Sequence, residues 1–151
     1  MNATNWHFPY CVDIGVAYPA IVTFISDLSS LPQTIERAVI VSSATITGEL
    51  SDIGASCVLF SLSGANSISG NLSDMPPAME YFGIGGSNTI TGDITNLPDS
   101  LIQIDLTGNN TVYGDIANLP QSGNLTRFYV TGYNTISGSV ADLDYSGIVL
   151  D

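Results

Sequence analysis

Acidic side chains that return at a nearly constant interval are the first candidates for chemistry in this chain. Carboxylates about 5 Å apart can form the pair that hydrolyses a glycosidic bond, and ladders of Asp and Asn oxygens can bind Ca²⁺. An active site is built once, whereas these acids recur along most of the chain. We therefore expect solvated turn carboxylates, with calcium binding and glycosidase chemistry as the alternatives. The two recurring sets are Asp27, Glu49, Asp93 and Asp115, and Asp52, Asp74 and Asp142.

Other catalytic groups are scarce. The chain has a single histidine, His7, no lysine, and two cysteines, Cys11 and Cys57. The cysteines fall in one column of the repeat described below, two strands apart, which places their Cα atoms about 10 Å from each other. A disulfide tolerates about 7 Å, so we expect two buried free thiols, with a Cys–His pair as the alternative. The sequence predicts no enzyme, no cofactor and no metal site.

The acidic and cysteine side chains belong to an internal repeat, which determines where they lie in the fold. The pattern apolar-x-Gly-x-apolar returns with glycine steps of 22, 22, 22 and 24 residues. An asparagine precedes four of these glycines, and we expect it to bond backbone groups of neighbouring turns. The glycines are expected to adopt positive φ or to allow close approach between coils. These two structural ladders are Asn66, Asn88, Asn110 and Asn134, and Gly48, Gly70, Gly92, Gly114 and Gly138. The Ser or Thr after each asparagine is a candidate hydroxyl ladder.

A short strand lies before each asparagine. Its pattern is apolar-x-x-apolar-x-apolar, as in Leu101-x-x-Ile104-x-Leu106, and the last two sites alternate as a strand requires. A repeat of this length has no room for a strand and a full helix of about 11 residues. We predict a mainly β, right-handed solenoid of about six coils of 22–24 residues, with a parallel sheet on one face and little or no α-helix. The other half of each coil is expected to be extended or 3₁₀-like.

These units resemble leucine-rich repeats. The run from Leu101 through Asn110 to the Leu119-Pro120 pair is similar to L-x-x-L-x-L-x-x-N-x-L followed by a G-x-I-x-x-L-P tail. The resemblance extends over roughly residues 11–150. It implies a binding scaffold whose strand face contacts partners, with no cofactor.

The outward positions of the strands form the candidate binding face. Arg and Tyr are enriched in binding hot spots, and both arginines of the chain fall in one outward column. The alternative is a solvated sheet face on which Arg127 pairs with Asp105. The candidate residues are Arg37, Leu59, Tyr81, Gln103, Asp105, Arg127 and Tyr129.

Net charge and hydropathy limit the classes of partner that the chain can bind. The net charge is −12, with two basic and 14 acidic residues among 151, so nucleic acid is excluded because phosphate binding needs clustered cations. No apolar run approaches the roughly 18 residues of a membrane span, so no membrane insertion is expected. A protein or glycan ligand remains, bound on an extracellular, cell or virion surface.

The two ends complete the domain prediction. Residues 1–10 lack the pattern of a signal peptide and are expected to cap the solenoid, or alternatively to dock a partner, while residues 11–151 form the solenoid. The last repeat stops partway, and an open coil can associate with a neighbouring chain. The first functional hypothesis is a recognition or adhesion module. The alternatives are a subunit of a fibre, filament or virion appendage, and a carbohydrate-active enzyme.

Overall fold

A computed structural model describes residues 25–120, 124–139 and 149–150. Within these ranges the chain is mainly β and forms one parallel sheet by coiling back on itself. The expected N-terminal cap (1–10), the strand that begins at Cys11 and the open end of the last repeat lie outside the described residues. No helix in the described ranges is long and apolar enough to span a membrane.

Parallel strands about one repeat apart make up the sheet. Their first residues are separated by 22, 22, 22 and 24 residues up to Arg127, and Val149 follows 22 residues later. The strand order is β1-β2-β3-β4-β5-β7, with β6 paired to β4. This confirms the expected mainly β solenoid with a parallel sheet; the hand of the coil stays a prediction. The strands are β1 (Arg37–Glu49), β2 (Leu59–Asn71), β3 (Tyr81–Asp93), β4 (Gln103–Asp115), β5 (Arg127–Gly132), β6 (Thr135–Ser137) and β7 (Val149–Leu150).

A single turn of 3₁₀ helix follows each of the four long strands, β1–β4, and a fifth turn precedes β1. Each turn begins with a buried Leu or Ile, as at Leu50 and Ile94. The predicted extended and 3₁₀-like half of the coil is thereby confirmed. The five turns are Leu28–Ser30, Leu50–Asp52, Leu72–Asp74, Ile94–Asn96 and Ile116–Asn118.

The core is built from the apolar columns of the repeat. Identical positions of successive coils stack at the strand spacing of about 4.8 Å, so a side chain that one coil cannot cover is covered by the next. Phe60 and Phe82 illustrate this, because their rings stack with centroids 5.9 Å apart and both side chains are buried. Aromatic pairs of this kind add about 0.5–1.5 kcal/mol beyond burial.

The pairing of each long strand is interrupted near its middle, and in β2, β3 and β4 a positive-φ glycine lies at the interruption. Between β3 and β4 the pairing runs from Tyr81–Gln103 to Ile84–Leu106 and resumes at Asn88, with a register shift between. Gly86 lies in this gap with φ of 125°, a conformation that side chains rarely adopt. The interruption divides each of the strands β1–β4 into a first arm before it and a second arm after it, and β5 pairs with the first arm of β4.

The asparagine column forms the expected ladder. Asn88 Oδ1 accepts from the backbone N–H of Ile68 at 3.0 Å, and its Nδ2 donates to the carbonyl of Thr107 at 3.0 Å. Asn110 repeats both bonds one coil later. Asn66 is also buried and donates to Gly85, but among the described residues its Oδ1 has no partner. Asn134 is only half-buried and donates within its own coil, to Val130.

The predictions for the glycine column and for the hydroxyl column have different outcomes. All five ladder glycines have positive φ, and a Cβ at Gly70 would lie 2.9 Å from the backbone nitrogen of Leu50, so both expected reasons for glycine apply. The residues expected to form a hydroxyl ladder, Ser67, Thr89, Thr111 and Thr135, are exposed, and their ladder stays a prediction. The inter-coil hydroxyl bonds come two residues later, as at Thr91 Oγ1, which donates to the carbonyl of Gly70.

Candidate recognition face

The first arms of β1–β5 carry the predicted binding residues on their outward side. The first residues of these strands lie in one row across the sheet: Arg37, Leu59, Tyr81, Gln103 and Arg127. Asp105 and Tyr129 are partners in the next row, two residues along. We call this set of seven side chains the recognition face. The inward residues between the rows, such as Ile104 and Phe128, are buried in the core and anchor this side of the sheet.

Three members of the recognition face form a cluster. Arg127 Nη2 lies 3.3 Å from Asp105 Oδ2, and the Arg127 guanidinium carbon lies 5.6 Å from the centroid of the Tyr129 ring. The Arg127 side chain is 35% exposed and that of Asp105 24%. A pair this accessible is worth about 1 kcal/mol or less. Its main consequence is positional, because the ion pair and the ring hold the guanidinium against the sheet.

The electrostatics of Asp105 reflect its partial burial. Loss of solvent around the carboxyl raises its pKa, and the nearby Arg127 charge and hydrogen bond lower it by less, so the net shift is upward. A desolvated carboxylate gains from any further hydrogen-bond donor that approaches it.

Two members of the predicted set lie apart from this cluster. Leu59 is only 7% exposed, although its partners in the row, Arg37 and Tyr81, keep partial exposure. Its limited accessibility makes it a poor direct contact. Arg37 lies four strands from Arg127, roughly 19 Å at the usual strand spacing, so the shared column does not bring the two arginines together.

Two glycines, Gly83 and Gly85, occupy outward positions of β3 where the neighbouring strands carry side chains. Neither glycine was among the residues predicted for the binding face. A Cβ added to Gly83 would meet no heavy atom within 4 Å, and one added to Gly85 would meet only Thr107 Oγ1, at 3.7 Å. The register partners of Gly83 are Ser61 and Asp105. The signal was visible in the sequence, because these two glycines interrupt columns of Ser, Asp and Thr.

The first set of recurring acids has a structural role in the turns. Asp93 Oδ1 accepts from Thr95 N at 2.9 Å, and Asp115 Oδ1 accepts from Ala117 N at 2.9 Å. Asn71 does the same for Ser73. These side chains therefore cap the 3₁₀ turns. Within the described part of the chain, no group of three or more His, Cys, Asp and Glu residues is placed to hold a metal ion.

The described cysteine is a free, buried thiol, as expected. Cys57 Sγ lies 3.3 Å from the carbonyl of Leu59. Burial raises its pKa to about 11, so the unreactive thiol form dominates at neutral pH. Cys11 and His7 lie outside the described residues.

Comparison with protein-family models, with curated proteins and with solved structures found no match for this chain.

Proposed function

We propose that this chain is a non-enzymatic recognition or adhesion module that binds a protein or glycan through the recognition face. The observation that carries the proposal is the Asp105–Arg127–Tyr129 cluster. It combines a cation, a carboxylate and an aromatic ring on the accessible side of the sheet, and Arg and Tyr are enriched among the residues that dominate binding energy in interfaces. The acids that would serve a glycosidase are instead engaged as turn caps.

The repeat supports placing the solenoid with the leucine-rich repeats, which act as binding scaffolds. The apolar and asparagine columns correspond to that family's pattern. The asparagine follows the last strand site by four residues rather than three, from Leu106 to Asn110, and the positive-φ Gly108 lies within this longer turn. We place the protein on an extracellular, cell or virion surface because its acidic, lysine-free composition disfavours binding to nucleic acid and to anionic membranes.

An array of glycans and surface proteins tests the proposal. The double variant Tyr81→Ala/Arg127→Gln is expected to lose binding to the ligand that the wild type recognises. Tyr113→Ala is the matched control, because Tyr113 is 49% exposed but belongs to the second arm of β4. Binding that survives the double variant, or that Tyr113→Ala abolishes equally, would contradict the proposal.

A second candidate function is assembly into a fibre or appendage. It is favoured by Val41, an apolar side chain that is 60% exposed on β1, the first strand in the sheet order. Light scattering separates the two candidates, since a recognition module is expected to be monomeric and an assembling subunit to form large particles. Val41→Lys should dissolve such particles if assembly uses the exposed side of β1.

A further inference from the structure

The centre of the recognition face contains a notch on β3. Gly83 and Gly85 leave outward positions without side chains, and the space above Gly83 is open. Its neighbours across the sheet are Ser61 on β2 and Asp105 on β4. Since adjacent strands lie about 4.8 Å apart, the backbones that flank Gly83 are about 10 Å from each other. Between them, the missing side chain of Gly83 leaves an opening one residue wide, flanked by Ser61 and Asp105.

The residues around the notch supply the two kinds of contact that a sugar needs. Tyr81 lies two residues before Gly83 on the same side of the strand, about 6.7 Å away along it, and its half-buried ring offers an apolar surface for sugar C–H groups. Asp105 binds Arg127 through Oδ2, whereas Oδ1 makes no hydrogen bond to another described residue. A carboxylate oxygen in this state accepts hydrogen bonds from hydroxyl groups.

The charge of the site and of the whole chain favours neutral over acidic sugars. Arg127 neutralises Asp105 within the cluster, so the immediate site has no net charge. The chain as a whole carries −12, and a field of this sign repels anions. The site therefore complements a neutral sugar and disfavours an acidic one. Because burial raises the pKa of Asp105, hydroxyl donors from a ligand would replace part of the solvation that the carboxyl has lost.

We propose that the notch at Gly83 is a subsite for one neutral pyranose, stacked on Tyr81 and hydrogen-bonded by Asp105. This inference rests on the proposed recognition function and names its ligand class as a neutral glycan. The opening is one residue wide, whereas a stable protein partner would cover about 800 Å² of this surface. The subsite therefore provides weak, specific contacts that multivalent presentation would strengthen.

The direct test is a titration of the ¹⁵N-labelled full chain with the methyl glycosides of glucose, galactose and mannose and with N-acetylglucosamine. N-acetylneuraminic acid and galacturonic acid serve as the acidic probes. At least one neutral probe is expected to cause saturable shifts of the amides of Gly83, Gly85 and Asp105, with a dissociation constant in the millimolar range. The acidic probes should bind at least about tenfold more weakly, a difference of about 1.4 kcal/mol.

Variants of the notch that are expected to fold normally separate a loss of sugar binding from a loss of structure. Gly83→Val fills the opening, and because the Cβ meets no neighbour and Val suits a strand, the protein is expected to fold and lose the shifts. Tyr81→Ala should also lose them. Tyr113→Ala and Thr89→Val, both at exposed positions of the second arms, are controls that should bind as the wild type does.

Three results would overturn the subsite. These are the absence of shifts at β3 with every neutral probe, equal shifts in Gly83→Val, and a preference for the acidic probes. The proposed function fails separately. If the double variant abolishes binding to a surface protein while no sugar shifts β3, the recognition face stands and the sugar subsite is wrong. If the sugar shifts β3 and no array ligand depends on Arg127, the subsite stands and the wider face is wrong.

Discussion

The side-chain oxygen of Asn88 lies 3.0 Å from the backbone nitrogen of Ile68, one coil earlier in the solenoid. Together with the donation from Asn88 to Thr107, this bond ties three consecutive coils through one buried amide. The same residue type at Asn66 makes only one of the two bonds. The two asparagines therefore provide a matched pair for measuring what the ladder contributes.

Asn88→Ala is expected to destabilise the protein more than Asn66→Ala does. Removing Asn88 leaves the N–H of Ile68 and the carbonyl of Thr107 without their partner, at about 1–3 kcal/mol for each buried group. Removing Asn66 orphans only the carbonyl of Gly85. Urea unfolding measures both changes in the free energy of unfolding. Equal losses would show that cavity formation, rather than the second hydrogen bond, dominates.

Two glycines are expected to respond to alanine with opposite signs. Gly70 has φ of 134°, and a Cβ there would lie 2.9 Å from the backbone of Leu50, so Gly70→Ala should cost at least about 1–3 kcal/mol. Gly83 has open space and no positive φ, so Gly83→Ala should stabilise by about 0.4–1 kcal/mol through the unfolded state. Thermal unfolding of both variants measures these changes in stability. A destabilising Gly83→Ala would contradict the open space above Gly83.

The capping role of Asp93 predicts tolerance to asparagine. Asp93→Ala removes the acceptor for Thr95 N and should cost about 0.5–2 kcal/mol. Asp93→Asn should stay close to the wild type, because Asn71 performs the same capping one coil earlier. The measurement is the unfolding free energy of both variants, with a glycan-cleavage assay alongside. Equal damage by Asn and Ala would mean that the carboxylate charge, and not the cap, is needed.

Cys57 is expected to resist alkylation in the native protein. Burial raises its pKa to about 11, and the thiolate is the reactive form. In a Cys11→Ser background, iodoacetamide at pH 8 should modify Cys57 slowly without denaturant and rapidly in urea. Mass spectrometry gives both rates. Similar rates in the two conditions would place the thiol at the surface and contradict the alignment of its column.

The pKa of Asp105 is expected to rise further when Arg127 is replaced. Burial raises this pKa and Arg127 lowers it, so Arg127→Gln leaves burial unopposed. A carboxyl whose folded pKa is raised destabilises the native state above that pKa, and this penalty disappears as pH falls through it. A ¹³C titration of the Asp105 carboxyl measures the shift. Arg37→Gln, at the distant end of the row, should leave it unchanged, and a fall in Arg127→Gln would be inconsistent with the pair.

The repeat by itself determined the coil length, the inward apolar columns, the asparagine ladder and the positive-φ glycines. These features are set by spacing along the chain. Every copy of the unit meets nearly the same neighbours, so a column read from the sequence becomes a row in the sheet. Asn88 and Asn110 could be assigned a buried, bonded role on this basis, and the extended half of the coil followed from its length.

The tertiary structure determined the exposure and the neighbours of each outward side chain. Leu59 is only 7% exposed although its column faces outward, and its neighbours in the row are Arg37 and Tyr81. The acids became caps because the 3₁₀ turns direct backbone N–H groups toward them. Register brought Asp105 between Gly83 and Tyr129 and kept Arg37 four strands from Arg127. The caps join residues two positions apart within one turn. The contacts of the outward rows join residues at least one coil apart, and only the folded sheet places those side by side.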